Sequence, residues 1–123
     1  MSFWRREVID FALDYETLHH MEEQSAWIAR EPSNPRPYYH LAQLYRLQGK
    51  QDEGRILLLE AVRLDADFAA AHAALAEIYA VSEEYGAAWH HARLAERNGE
   101  PRAVELLERY GGANTPRGPI IEE

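Results

Sequence analysis

The feature that most constrains the fold of this chain is a pattern that returns after 34 residues. Leu41, Ala42, Tyr45 and Ala61 recur as Leu75, Ala76, Tyr79 and Ala95, and the small Gly54 recurs as the small Ala88. A fixed period of this length marks stacked supersecondary units. Tyr38, Leu41 and Tyr45 stand at helical i, i+3 and i+4 relations, so they share one face of a first helix. Ala42 and Ala76 leave room on that helix for a neighbouring backbone. Gly54 and Ala88 do the same near the start of a second helix, and Ala61 and Ala95 near its end. Helix axes pack about 8–10 Å apart, and the closer end of that range needs small contact residues. Each unit is thus expected to be a pair of tightly packed antiparallel helices, A then B.

The run Tyr38-x-x-Leu41-Ala42-x-x-Tyr45, followed by His72-x-x-Leu75-Ala76-x-x-Tyr79, resembles the tetratricopeptide repeat family of helix-turn-helix proteins. The resemblance implies an all-α fold of antiparallel helix-turn-helix repeats, stacked as a short right-handed superhelical solenoid. Gly49-Lys50 closes the first helix A, since Gly suits a left-handed cap. The second repeat departs with Glu83 at that place, although Tyr85 restores the aromatic two positions on. The proline usual after helix B is Ala66 here, and in the second repeat it is displaced to Pro101.

Read in order, residues 1–31 are helical in pattern. Trp4, Val8, Phe11, Tyr15 and Leu18 follow 3–4 spacing with no Gly or Pro between them. One long helix across the first repeat is the alternative to the expected arrangement, a degenerate repeat of two helices with a turn near Asp14–Thr17. In that degenerate repeat, His20 and Trp27 fall where small residues belong. The breaker cluster Pro32-Ser33-Asn34-Pro35-Arg36-Pro37 ends this segment and starts a helix near Arg36. One repeat covers 35–68, its helix B expected over Asp52–Leu64 with Asp52 as N-cap. Ile56, Leu57, Leu58, Leu59 and Val62 make that helix apolar on more than one face, so burial between two neighbours is expected. The second repeat covers 69–100 and closes at Asn98-Gly99. A capping helix over 101–110 presents Arg102, Glu105, Glu108 and Arg109 outward. The tail, 111–123, is rich in Gly and Pro and is expected to be disordered.

Composition narrows the function classes. There is no Cys, which removes disulfides, thiolate zinc sites and cysteine nucleophiles. Net charge is -8, which disfavours nonspecific binding to nucleic acid or anionic membranes. No apolar run approaches the roughly 20 residues of a membrane span. Arg5, Arg6, Glu7 and Asp10 interrupt any signal-peptide core, so a cytoplasmic location is expected. Lys50 is the single lysine beside many arginines, a usage that suggests a GC-rich bacterial coding sequence. No phosphate loop, nucleophile elbow or zinc-protease motif is present, and a noncatalytic role is expected. No cofactor is expected. His19, His20, His40, His72, His90 and His91 include two adjacent pairs, whose members point apart on a helix; they read as surface or packed side chains.

In tetratricopeptide repeat proteins, ligands commonly lie along a concave face lined by helices A. Carried over by register, those places are Arg36, Tyr39, His40, Gln43, Arg46 and Leu47, then Ala70, Ala73, Ala74, Glu77, Ala80 and Val81. Family members that clamp a C-terminal carboxylate use Lys, Asn and Arg, where this chain has Tyr39, Gln43, Ala70 and Ala74. A partner helix or extended peptide suits a small-residue floor better. Tyr39 would stack on it, Leu47 would give apolar contact, and Arg46 and Glu77 would set its register by charge. The expected function is a protein-interaction module or scaffold with a protein or peptide partner. The alternative is a structural assembly module that self-associates into a homo-oligomer through its aromatic N-terminal helix.

Overall fold

A computed structural model describes the backbone of residues 2–110 and the side chains of residues 14–109. Among the described residues it is all-helical, with six helices and no strand. They are α1 (Ser2–Arg30), α2 (Pro35–Leu47), α3 (Gln51–Leu64), α4 (Ala69–Val81), α5 (Tyr85–Arg97) and α6 (Arg102–Tyr110). The tail 111–123 lies outside the described residues, as do the side chains of Phe3 and Trp4.

The closest helix pairs are α2 with α3 and α4 with α5. Small residues make this possible. Ala42, Ala61, Ala71, Ala88, Ala92 and Ala95 are wholly buried. At Gly54 an added Cβ would lie 3.2 Å from the Ala42 carbonyl oxygen and 2.8 Å from Cγ of Arg46, so only glycine lets α3 come this near to α2. Leu58 and Leu75 fill the space between the first pair and the second. Trp89, Val104 and Leu107 fill the space between the second pair and α6. The apolar surplus of α3 is only partly covered: Leu58 is buried, but Ile56 is 62% exposed.

The turns repeat as the helices do. After α2, the N–H of Lys50 returns to the Tyr45 carbonyl (2.9 Å) and that of Gly49 to Arg46 (2.9 Å). This paired closure satisfies carbonyls that a helix end would otherwise leave open. After α4, Glu84 returns to Tyr79 (2.8 Å) and Glu83 to Ala80 (3.0 Å). The pivot has a left-handed φ in both, 79° at Gly49 and 61° at Glu83. The departure at Glu83 thus leaves the turn intact and places a side chain in backbone that favours glycine. Gly99 (φ 98°) closes α5 in the same way.

One expectation about a helix start needs correction. The N-cap of α3 is Lys50, without a side-chain cap bond, and Asp52 lies inside the first turn, 3.6 Å from Arg55. The helix begins directly out of the Gly49 turn, with Gly54 N–H already bonded to the Lys50 carbonyl, so no separate cap is used. The capping side chain is found instead at α2, where Asn34 Oδ1 accepts from the Arg36 N–H at 3.0 Å ahead of Pro35.

Of the two arrangements for residues 1–31, the structure has the continuous helix and not the expected turn near Asp14–Thr17. Its end, however, follows the repeat. Glu31 N–H to Trp27 and Asn34 N–H to Glu31 match Asp65 to Ala61 and Phe68 to Asp65, each 34 residues later. The C-terminal end of α1 therefore meets α2 as α3 meets α4. Further back, Tyr15 and Leu18 are exposed.

Candidate functional site

Helix periodicity separates two faces on α2 and on α4. On α2, Leu41 and Ala42 turn inward, whereas Tyr39, Gln43 and Arg46 line another face beside Ala70, Ala73, Ala74 and Glu77 of α4. These seven residues, with Glu100 and Arg102, line one small, partly open cavity of about 90 Å³. Two wider depressions continue from it, each of about 420 Å³. One is lined by Gln43, Arg46, Leu47, Gln51 and Glu77. The other is lined by Arg46, Glu77, Ala80, Val81, Tyr85, Leu106 and Leu107. Arg46 and Glu77 belong to all three, so the depressions adjoin at that pair along a surface formed by α2, α4 and α6, referred to below as the groove.

The electrostatics of the groove are internally settled. Arg46 Nη2 donates to Glu77 Oε1 at 3.0 Å, and its Nη1 donates to Gln43 Oε1 at 3.0 Å. Its Nε reaches Gln51 Oε1 at 3.4 Å. A guanidinium held by three acceptors is fixed in place and largely satisfied. At the far end Arg102 donates to Glu100 at 2.8 Å, which holds the Glu100 carboxyl below its usual range and raises the Arg102 guanidinium. The apolar edges are the open part: Leu47 is 78% and Val81 79% exposed, with Leu106 beside them.

The structure thus brings together ten of the twelve residues singled out from sequence: Tyr39, Gln43, Arg46, Leu47, Ala70, Ala73, Ala74, Glu77, Ala80 and Val81. Arg36 and His40 are exposed outside these cavities. Tyr39 does not project freely as a stacking platform. Its ring packs on Phe68 at 5.3 Å and meets His40 edge-on at 5.4 Å. Arg46 and Glu77 bind one another rather than standing apart for a partner. Sequence reasoning assigns α6 to capping alone and misses Arg102, Leu106 and Leu107 as groove residues. Their signal was available only through the Asn98-Gly99 turn, whose left-handed φ directs α6 back across α4.

Three histidines come together, the His91 ring lying 5.2 Å from His72 and 5.0 Å from its neighbour His90, which does not point away from it as expected. His19 and His20 lie exposed on α1 near Glu23, and only His72 and His91 meet across helices. Among the described residues no group of three or more His, Asp or Glu is placed to hold a metal ion. No helix among them is long and apolar enough to cross a membrane. No protein-family model matches the chain, and no curated protein matches it at a significant level.

Proposed function

We propose that this protein is a noncatalytic interaction module of the tetratricopeptide-repeat type, acting in the cytoplasm. Its helix pairs would stack as a short right-handed solenoid. The 34-residue return of helix-end hydrogen bonds, from Glu31 to Asp65 and from Lys50 to Glu84, supports that arrangement. The observation that carries the function is the groove over α2, α4 and α6. Its floor is Ala70, Ala73, Ala74 and Ala80, and its edges are the exposed Leu47, Val81 and Leu106.

A floor without side-chain bulk admits a partner's backbone or small face. Apolar edges then reward burial at about 25 cal/mol per Å² of surface removed from water. The Arg46–Glu77 pair is already complete, so it contributes a rigid polar divider more than a free charge. The preferred partner is an amphipathic helix or an extended strip with apolar side chains on both sides of that divider. Because the groove is preformed, the ordering cost of binding falls mainly on the partner.

Photo-crosslinking in the native host tests this reading. A benzophenone side chain at Leu47 or Val81 should yield a discrete protein adduct. The same group at Ile56, also exposed but on α3, should not. Adducts from Ile56 alone would move the interaction surface to the other side of the molecule.

A further inference from the structure

The second repeat contains a polar joint that the first lacks. His72 of α4 is 3% exposed, and its Nδ1 lies 3.0 Å from Nδ1 of His91 on α5. The other nitrogen of His72, Nε2, lies 2.8 Å from the carbonyl oxygen of Ala66 in the turn before α4. A carbonyl oxygen can only accept, so Nε2 of His72 carries a proton. In the neutral ring Nδ1 of His72 is then an acceptor, and Nδ1–H of His91 donates to it. His91 is left with Nε2 as its basic nitrogen.

The groups around the joint all resist charge. The His91 ring stacks on His72 (5.2 Å) and on Tyr79 of α4 (5.6 Å), and meets His90 of α5 edge-on (5.0 Å). Burial, then His72, then His90 push His91 down to about 4; neither α3 nor α6 supplies a group that raises it.

The joint has an internal control in the first repeat. Thirty-four residues before His72 and Ala66 stand Tyr38 and Pro32, and Tyr38 OH donates to the Pro32 carbonyl at 2.8 Å. The same anchor is made there by a phenol. The place of His91 is taken by Leu57, which packs on the core. Neither Tyr nor Leu titrates between pH 4 and 7.

We propose that the His72–His91 pair is a one-proton latch that makes the contact of α4 with α5 acid-sensitive at positions where the first helix pair has the non-titrating Tyr38 and Leu57. One added proton is accommodated. It rests on Nε2 of His91, or on Nδ1 of His72 with His91 in its other tautomer, and a single N–H still lies between the rings. A second proton puts two N–H groups face to face at the Nδ1···Nδ1 contact, and the bond is lost. The contact of α4 with α5 loosens, while Nε2–H of His72 keeps its bond to the Ala66 carbonyl.

The sign follows from the depressed His91. The pair's contribution is complete above about pH 6.5 and is lost as pH falls towards 4, because the unfolded chain takes up a second proton that the folded pair refuses. The test compares urea unfolding of the full chain, followed by circular dichroism from pH 7.5 to 4.0, with that of the His72→Tyr/His91→Leu double variant. That variant copies the first repeat's own pair into the second. The ratio of wild-type to variant unfolding constants should rise by up to about a hundredfold across the window. Parallel profiles would overturn the proposal. If the double variant does not fold, imidazole ¹⁵N spectra of the wild type decide instead. At pH 7.5 His72 should show the Nε2–H tautomer and His91 the Nδ1–H tautomer, and at pH 5.5 the pair should hold no more than one added proton. Two rings titrating independently near pH 6.5 would overturn the latch.

Discussion

Glu83 shows what a single residue can conceal. Its φ of 61° lies in the left-handed region, where a side chain costs about 1 kcal/mol relative to glycine. Glu83→Gly should therefore raise stability by about that amount, read as a higher urea midpoint with an unchanged slope. A lower midpoint would mean that the Glu83 side chain contributes more than the strain costs. Gly49 and Gly99 were legible as helix stops because glycine advertises positive φ. At Glu83 only the register of the repeat carried that information. Asp52 misled for the converse reason. It is a good capping residue by type, but the chain leaves the Gly49 turn already hydrogen-bonded as helix. The anchoring role of His72 was legible only as bulk at a packing place. Its hydrogen bond to Ala66 requires the turn to exist first.

At the scale of the element, α3 separates burial from hydrophobicity. Leu58 is fully buried in the core that joins the two helix pairs, whereas Ile56, two residues earlier, is mostly exposed. Leu58→Ala should cost about 2–5 kcal/mol, and Ile56→Ala less than about 0.5 kcal/mol, both by urea unfolding. Equal effects would show that Ile56 is covered in solution. The expected start of α2 near Arg36 and the expected span of α3, Asp52–Leu64, fall within a residue of the observed ones, because Gly and Pro punctuate that part of the chain. The first 31 residues carry no such punctuation, and a continuous helix is what their uninterrupted pattern permits. Its final turn nevertheless obeys the repeat, since Glu31 and Asn34 make the bonds that Asp65 and Phe68 make later.

At the scale of the whole molecule, the floor of the groove was legible and its electrostatics were not. Ala70, Ala73 and Ala80 follow from register alone. The closure of Arg46 on Glu77 depends on how far α2 and α4 stand apart, which no local pattern encodes. The part played by α6 depends likewise on the angle set at Gly99. The central claim is that this groove is where a partner binds. Its most direct test is affinity capture from the native host's lysate with the wild type and with Ala73→Arg, which places a long charged side chain on the groove floor. Circular dichroism should show equal helical content in the two. The account predicts a protein retained by the wild type and lost from the variant. Equal retention by a folded Ala73→Arg protein would contradict it.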